Sequence, residues 1–338
     1  MSRITIRRAR PDDADAIAAF TDDTWGDRHE DYIPRVFAEW ARTDGDGQRT
    51  LVATLTRESA EDVTEAGAVR SETLVDGDGT GAAAAGDPEA VVGCIQGVLL
   101  SEWEAWAQGI RVNPTVRGVG VGTRLTEAVL DWAREAGATV CRNMVFSWNA
   151  AGLGQSRAVG FDPTTEFRFA RPEPDPDAAA AALDDPDPDG AWAFWQNCDA
   201  RDHLRGLALD PAESWACSEL TRDRMATAAA EGRLIAVGDD GITGYAIRTR
   251  IEERETDDDV ERHAVYGVAA WRDTEAAGTL YDAIARDAAE RDADATRVVI
   301  PETVGHVSDT AANRIAVDGE PDFVMSAALT DRLLDASE

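Results

Sequence analysis

The chain has 338 residues, with 65 Asp or Glu against 33 Lys or Arg, and its formal net charge at pH 7 is −32. This length can bury the cores of two domains, and a hydrophobic fraction of 43% excludes a chain that is disordered throughout. The composition offers no broad basic patch, so we expect no nucleic-acid partner and no anionic membrane partner.

Every basic residue is an arginine, because the sequence contains no lysine. The surplus of carboxylates is similar to that of proteins from a haloarchaeal cytoplasm, where salt screens the repulsion between acidic side chains. The N-terminus carries no apolar leader, and no segment approaches about 18 uninterrupted apolar residues. We therefore expect a cytoplasmic protein. Four scattered cysteines without a CxxC pair, and only four histidines, predict that no metal is bound.

The first half of the chain alternates between strand and helix patterns. Period-two segments predict strands at 4–9, 50–56, 90–100, 104–112, 140–146 and 166–170. Helical spacing and first-turn acidic residues predict helices at 11–20, 32–41 and 120–136. The segment 57–89 is rich in Gly, Ala, Asp and Glu and has no apolar period, which predicts a flexible insertion.

The second half repeats this order at low fidelity, after a linker. Residues 172–190 alternate proline with aspartate, which predicts an extended acidic linker between a domain at 1–171 and another at 191–338. Beyond it we predict a mostly helical stretch at 191–231, strands at 233–237, 242–251, 263–269, 297–300 and 322–329, and a helix at 272–291. The repeated order indicates duplication followed by divergence.

A glycine-rich turn joins the strand that ends at Val112 to the amphipathic helix at 120–136. Its residues are Arg117, Gly118, Val119, Gly120, Val121 and Gly122. Glycines let backbone amides point inward at a helix N-terminus, which makes a site for an anion such as a pyrophosphate. The alternative is a tight turn that leads into a core helix.

The spacing Arg117-x-x-Gly120-x-Gly122, preceded by Val112-x-Pro114, resembles the Arg/Gln-x-x-Gly-x-Gly/Ala signature of the GNAT acetyltransferases. Downstream, Asn149 and the pair Gly160-Phe161 resemble the Asn that opens the next helix and the Gly-Phe that closes it. The resemblance covers 4–171 without the insertion. It implies the α/β (α+β) GNAT fold, a mixed and mostly antiparallel central sheet flanked by helices, here duplicated as two tandem domains.

The resemblance also implies acetyl-CoA as the cosubstrate. The amides of the loop, from Arg117 to Gly122, would hold the pyrophosphate of CoA. The backbone of Ile110, Arg111 and Val112 would pair with the pantetheine arm, and Asn149 would lie beside that arm. A simple helix N-cap is an equal alternative for Asn149, and both roles can coexist.

Acetyl transfer requires the acceptor amine to lose a proton, so a carboxylate should act as general base. Glu104 is the candidate, because it shares strand parity with Trp106 and Ile110 and so should share their face. A solvent-facing acidic residue is the alternative, and Glu102 is the reserve choice. The family often has a tyrosine acid four residues before the Gly-Phe pair, where this chain has Ser156. The acid is therefore Ser156, a water molecule or no group at all.

The run Asp31-Tyr32-Ile33-Pro34 and the strand 104–112 resemble the subgroup of histidine N-acetyltransferases, which implies a small-molecule amine or amino acid as acceptor. The corresponding turn of the second half, 271–278, lacks the paired glycines, so that half should be degenerate and bind no pyrophosphate. An acyl-CoA-binding protein without turnover is one alternative function, and an interaction scaffold is another. Both a monomer and a homodimer fit the sequence.

Overall fold

A computed structural model describes residues 4–21, 24–28, 31–56, 89–179, 182–255 and 260–330. The chain divides into two compact units. The first comprises Met1–Asn143, Gly154–Phe161 and Ser326–Glu338, and the second comprises Met144–Leu153 and Asp162–Met325. Except for Glu89, the insertion predicted at 57–89 lies outside the described residues.

The sheet of the first unit is mixed and mostly antiparallel. Its strands are β1 (Ile4–Arg8), β2 (Gln48–Thr56), β3 (Glu89–Leu99), β4 (Glu104–Val112) and the first half of β5 (Val140–Phe146). The first four pair in chain order as antiparallel neighbours, and β5 joins β4 in parallel. This arrangement confirms the predicted class of sheet, and β4 and β5 begin and end at the predicted residues.

Helices cover both faces of this sheet. They are α1 (Ala14–Thr21) and α2 (Ile33–Arg42) on one face and α3 (Val121–Glu135) on the other. Glycines in the strands allow the close approach: a Cβ at Gly97 would lie 2.6 Å from the Trp132 ring of α3, and one at Gly109 would lie 2.7 Å from the Trp40 ring of α2. Apolar side chains from α1, α2, β2 and β3 form the core on the α2 side, among them Ile17, Ile33, Phe37, Val52 and Cys94.

The helix α4 (Ala150–Ala158) precedes the strands of the second unit. These are β6 (Asp162–Arg171), β7 (Leu207–Leu209), β8 (Cys217–Glu219), β9 (Leu234–Val237), β10 (Gly244–Glu255), β11 (Val260–Trp271), β12 (Ala295–Pro301), β13 (Ala316–Val317) and, across the boundary of the units, β14 (Asp322–Ala328). The order β6-β12-β11-β10-β9 contains one parallel pair, β12 with β11.

The helices of the second unit are α5 (Pro188–Gln196), α6 (Asp199–Leu204), α7 (Arg222–Ala230), α8 (Thr274–Ala289) and α9 (Val304–Ala312). The main core cluster lies between α8 and the sheet and includes Tyr266, Leu280 and Ile284, all of them fully buried. Among the described residues, no helix has the length and the apolar character needed to cross a membrane.

Three expectations for the second half need correction. The stretch 191–231 is only about half helical, because β7 and β8 form a short antiparallel pair inside it. The helix α9 was not predicted. The linker predicted at 172–190 ends in helix, because the Asp187 side chain caps α5 and Pro188 takes its first position, where a proline costs no hydrogen bond.

Candidate active site

A β-bulge interrupts β4 close to its end. Between Cys94 and Gln96 the register advances by two residues on β3, while on β4 it advances by three, from Arg111 back to Gln108. Gly109 lies in the extra step with φ 63°, in the left-handed region that favours glycine. A glycine at this position is typical of a bulge that bends and twists its strand.

The bulge also changes which side chains of β4 share a face. The prediction that Glu104, Trp106 and Ile110 point the same way is wrong, because it assumed an unbroken alternation. The extra residue at Gly109 reverses the parity, so Arg111 takes the face of Glu104 and Trp106. This is the face on which α1 and α2 pack.

Beyond the bulge, β4 has an open edge. Its parallel pairing with β5 runs from Glu104 opposite Val140 to Trp106 opposite Arg142, and the described strands show no pair after that. Backbone N–H and C=O groups on an unpaired edge need other partners. An extended ligand that carries amides could therefore pair with β4 between the bulge and Val112.

The turn after β4 is fixed by Asn113. Its Oδ1 accepts hydrogen bonds from the amide of Thr115 at 3.0 Å and from the Thr115 hydroxyl at 2.8 Å. A short 3₁₀ turn, Pro114–Val116, follows. Arg117 then adopts an extended conformation, and its side chain is exposed. The chain therefore enters the glycine-rich loop in a defined direction, and the exposed guanidinium of Arg117 lies at the edge of the loop.

The glycine-rich loop ends in a helix start that has no side-chain cap. Gly118 has φ 81° and Gly120 has φ 90°, and Gly120 is the N-cap residue of α3. No acidic residue occupies the first turn of α3, and its first helical bond runs from the Arg124 amide to the Gly120 carbonyl. The amides of 121–123 therefore precede the helical ladder and are available to an anion.

Val119 and Val121 play different parts in this loop. Val119 is half-buried between the two left-handed glycines, whereas Val121 is only 1% exposed. A Cβ placed on Gly93 of β3 would lie 3.1 Å from a Val121 methyl, so Val121 anchors the first turn of α3 on the sheet. Its backbone amide, rather than its side chain, is what it can offer to a ligand.

Gln155 supports the first turn of α3, although it was not among the predicted site residues. Its Nε2 donates to the Gly122 carbonyl at 3.2 Å and to Thr126 Oγ1 at 2.8 Å. A Cβ on Gly122 would lie 3.5 Å from Gln155 Cγ and 3.6 Å from Val112 Cγ2, which is ordinary contact. A Cβ would therefore fit at Gly122, where β4, α3 and α4 meet, and no sequence motif marks Gln155.

The side chain of Arg111 turns away from the open edge of β4. Its Nε and Nη2 donate to the two carboxylate oxygens of Asp31, at 2.6 and 2.9 Å, and both side chains are buried. The guanidinium also lies over the rings of Trp25 and Tyr32, 4.7 and 5.7 Å from their centroids. Nη1 donates to the Ile110 carbonyl at 3.0 Å. The side chain of Arg111 is therefore engaged within the protein, and the pairing of its backbone with the pantetheine arm stays a prediction.

Glu104 lies at the paired end of β4, far from the loop. Its carboxylate is 3.1 Å from Ser101 Oγ and 2.5 Å from Nη1 of Arg142, and the residue is 2% exposed. Val112 lies eight positions further along β4, about 23 Å away at the rise of a β-strand once the bulge is allowed for. The structure therefore does not bring Glu104 and the loop together.

Ser156 lies on the buried side of α4. The residue is 2% exposed, and its hydroxyl accepts a hydrogen bond from Asn143 Nδ2 at 3.0 Å. The other amide atom, Asn143 Oδ1, is buried and has no partner among the described residues. A proton donated by Ser156 would need a route through this buried environment.

Asn149 performs the role of a helix cap. Its Oδ1 accepts from the Gly152 amide at 3.0 Å at the start of α4. A Cβ on Gly152 would come within 2.6 Å of Asn149 Nδ2, so the glycine leaves room for the cap. The role beside the CoA arm stays a prediction. No group of three or more His, Cys, Asp or Glu within the described part of the chain is arranged to hold a metal ion.

Comparisons with known proteins agree with this architecture. Residues 19–161 match the model of the acetyltransferase (GNAT) family, which is less than half of the chain. A GCN5-related N-acetyltransferase from Sphaerobacter thermophilus is 14% identical, with 96% of each chain covered and a TM-score of 0.54. A structure assigned to the acetyltransferases from Thermoplasma acidophilum is 16% identical, with 96% of this chain and 99% of that chain covered and a TM-score of 0.51.

At such low sequence identities, similarity to the solved structures is evidence for the fold alone. The comparison with curated proteins gives no match. The mixed sheet and its flanking helices therefore identify the fold as the GNAT fold, and residues 19–161 are similar to the GNAT acetyltransferase family.

Proposed function

We propose that the chain is an N-acetyltransferase that binds one acetyl-CoA at the loop 117–122. The observation that carries the proposal is the uncapped start of α3, which follows two left-handed glycines and has no acidic residue in its first turn. Free amides at a helix N-terminus attract phosphate oxygens, and the pyrophosphate of CoA has the matching charge. The open edge of β4 from Ile110 to Val112 offers backbone groups for the amides of the pantetheine arm.

The proposed reaction is direct attack of a primary amine on the thioester. The amine nitrogen forms a bond to the acetyl carbonyl carbon, the carbon–sulfur bond breaks, and the electron pair leaves with the CoA sulfur. The amine loses a proton to a base, and the thiolate takes a proton from Ser156 or from water. Because a thiol has a pKa of about 8.5, the thiolate can also leave without full protonation.

Glu104 stays our prediction for the general base, and its ion pair with Arg142 offers a second, structural role. If Glu104 takes the proton, Glu104→Gln should lower kcat by about 100-fold or more and leave the Kd for acetyl-CoA unchanged. Arg142→Gln is the matched variant, because it removes the partner and keeps the carboxylate, and it should retain turnover within about tenfold. Equal losses of Tm and turnover in both variants would instead assign Glu104 to the ion pair.

The proposed acceptor is a small molecule or an amino acid with a primary amine. The likeness of 31–34 to histidine N-acetyltransferases supports this class. So does the aromatic surface of Trp25 and Tyr32 on the α1–α2 side, which Arg111 fixes through cation–π contacts. The absence of lysine and the net charge of −32 support a halophilic, cytoplasmic protein.

We also propose that the second unit is a degenerate GNAT-like half without a cofactor. There β11 pairs in parallel with β12 and leads into α8, as β4 pairs with β5 and leads into α3. The start of α8, however, is closed by a carboxylate: Asp273 accepts from the Ala276 amide at 2.9 Å. This amide, together with Arg272, holds the pKa of Asp273 below its usual value, so the carboxylate is charged where a phosphate would bind.

A second carboxylate reinforces this closure. Asp309 of α9 accepts from Trp271 Nε1 at 2.9 Å and from the Thr274 hydroxyl at 2.6 Å. It thereby ties the end of β11 to the first turn of α8. Two negative charges at this point would repel a pyrophosphate, which supports one acetyl-CoA per chain.

Titration calorimetry with acetyl-CoA, on protein kept in molar KCl, tests the proposal. We expect saturable binding of one acetyl-CoA per chain, and release of free CoA thiol when an amine from a panel of amino acids and small amines is added. A stoichiometry of two would contradict the degenerate second half. No binding at all, together with no thiol release, would refute the acetyltransferase.

An acyl-CoA-binding protein without turnover is the second candidate. The buried Ser156 and the ion pair of Glu104 favour it, because both predicted catalytic side chains have structural partners. Tight binding of acetyl-CoA without thiol release for any amine would support this candidate over the enzyme.

A further inference from the structure

An arginine–aromatic cluster occupies the second unit, on the face of the sheet opposite α8. We define it as Phe169, Trp215, Arg254 and Arg297. The guanidinium carbon of Arg297 lies 3.9 Å from the ring centroid of Phe169 and 4.2 Å from that of Trp215, and Arg254 lies 5.4 Å from Trp215. Both rings turn a face toward Arg297, and the two rings stand at 87° to each other, so polar partners must come from elsewhere to its N–H groups.

Arg297 is buried but incompletely paired. Its side chain is 4% exposed, and its closest carboxylate oxygen is Glu252 Oε1, 3.6 Å from Nη1, which is too long for a good hydrogen bond. Glu252 already accepts from Arg250 at 2.9 Å and from Arg254 at 2.7 Å. Within the described part of the chain, the buried Nε of Arg297 has no partner.

Other arginines of this chain indicate what the free edge would take. In three of them Nε and Nη2 together donate to the two oxygens of one carboxylate, the bidentate geometry that a guanidinium favours. These are Arg111 with Asp31, Arg168 with Glu302, and Arg171 with Asp318. Among the described side chains, none supplies a carboxylate to the same edge of Arg297.

The surroundings of Arg297 carry an excess of positive charge in an otherwise acidic chain. Burial, and then the charge of Arg254, lower the pKa of Arg297 to about 9. The nearby Asp322 offers little compensation, because burial raises its pKa to about 7. An added negative charge would relieve the desolvated guanidinium.

A second unpaired nitrogen lies on the same face. His263 is opposite Ala295 in the register of β11 with β12, two residues before the pair of Val265 and Arg297. Its Nδ1 is buried without a partner in the part of the chain that the structure describes, while Nε2 meets Glu261 at 2.8 Å. Residues two apart on a strand point the same way, so His263 and Arg297 lie on the same face of two neighbouring strands.

Trp215 is a partly exposed member of the cluster. Trp215 adopts φ 65°, a left-handed conformation that a bulky side chain rarely takes, and it is half-buried over Arg297. We propose that the second unit binds a small carboxylate at the Nε/Nη2 edge of Arg297, beneath Trp215. This site is independent of the acetyl-CoA site proposed for the first unit.

Acetate is the probe for this site. As acetate replaces chloride at constant ionic strength, we expect a saturable rise in Tm of about 3 °C. The ¹³C carboxyl line of acetate should broaden in the presence of the protein, and propionate should reverse the broadening. Arg297→Lys keeps the charge but lacks the bidentate edge, so it should lose both effects. Arg272→Lys, at an exposed arginine of the same unit, should keep them.

Several results would overturn the carboxylate site. One is a linear response to acetate without saturation, and another is an equal response in Arg297→Lys. A third is a fall in Tm on removal of chloride in the wild-type protein but not in Arg297→Lys, which would indicate a halide site. Should Arg297→Lys not fold, the wild-type protein decides by itself: broadening that propionate does not reverse would contradict the proposal.

Discussion

Gly120→Glu should weaken acetyl-CoA binding by at least about 100-fold, equivalent to about 2.8 kcal/mol. Gly120 is the N-cap of α3 with φ 90°, so any side chain there strains the backbone that aims the amides of 121–123. A carboxylate would in addition place a negative charge where the phosphates bind. Calorimetric titration of the variant with acetyl-CoA measures the loss.

The matched control is Gly232→Glu. Gly232 has φ 62° in an exposed turn of the second unit, and a Cβ there meets no atom within 4 Å, as at Gly120. Both variants should lose about 1–2 kcal/mol of stability from the left-handed backbone, yet only Gly120→Glu should lose acetyl-CoA. Equal affinity in the two variants would show that the loop is a turn and not an anion site.

Asp31→Asn should destabilise the first unit by about 3–5 kcal/mol, because it leaves the buried guanidinium of Arg111 without its counter-charge. The pair joins the segment before α2 to β4, and the side chain of Asp31 is fully buried. Asp31 Oδ1 also accepts from the amide of Ile33, the first residue of α2, at 3.0 Å. Urea unfolding of the protein without ligand measures the change.

Two further variants show whether charge burial is the cause. Asp131→Asn breaks an exposed pair with Arg134 and should cost less than about 1 kcal/mol. Removal of both buried charges in Asp31→Asn/Arg111→Met should recover part of the stability that Asp31→Asn loses. If the double variant is less stable than the single one, the contacts of Arg111 with Trp25 and Tyr32 matter more than the ion pair.

The parts of the fold that follow local patterns were predictable. The alternation in 104–112 and 140–146 gave the bounds of β4 and β5, because each strand packs one apolar face on a helix. The short strands β7 and β8 have three residues each, too few to show a period, and they lie between the helices α6 and α7. The first residues of β6, Asp162-Pro163-Thr164-Thr165, have no apolar alternation, so the predicted strand began four residues late.

The candidate site was predictable only where a motif marks it. The glycine spacing identified the loop, since a left-handed backbone at Gly118 and Gly120 needs that residue type. The bulge at Gly109 could not be inferred, because one glycine in a strand does not reveal which partner register it breaks. Nor could the pair of Asp31 and Arg111, whose positions are 80 residues apart.

The bulge limits how the protein can be engineered. Deletion of Gly109 would restore a regular ladder between β3 and β4, and by the usual rules of strand design it would look like an improvement. Arg111 would keep its place opposite Cys94 and so its face of the sheet, but the bend and the extra twist that the bulge gives β4 would be lost. Computational redesign of this chain should therefore hold the irregular strand fixed and seek stability elsewhere.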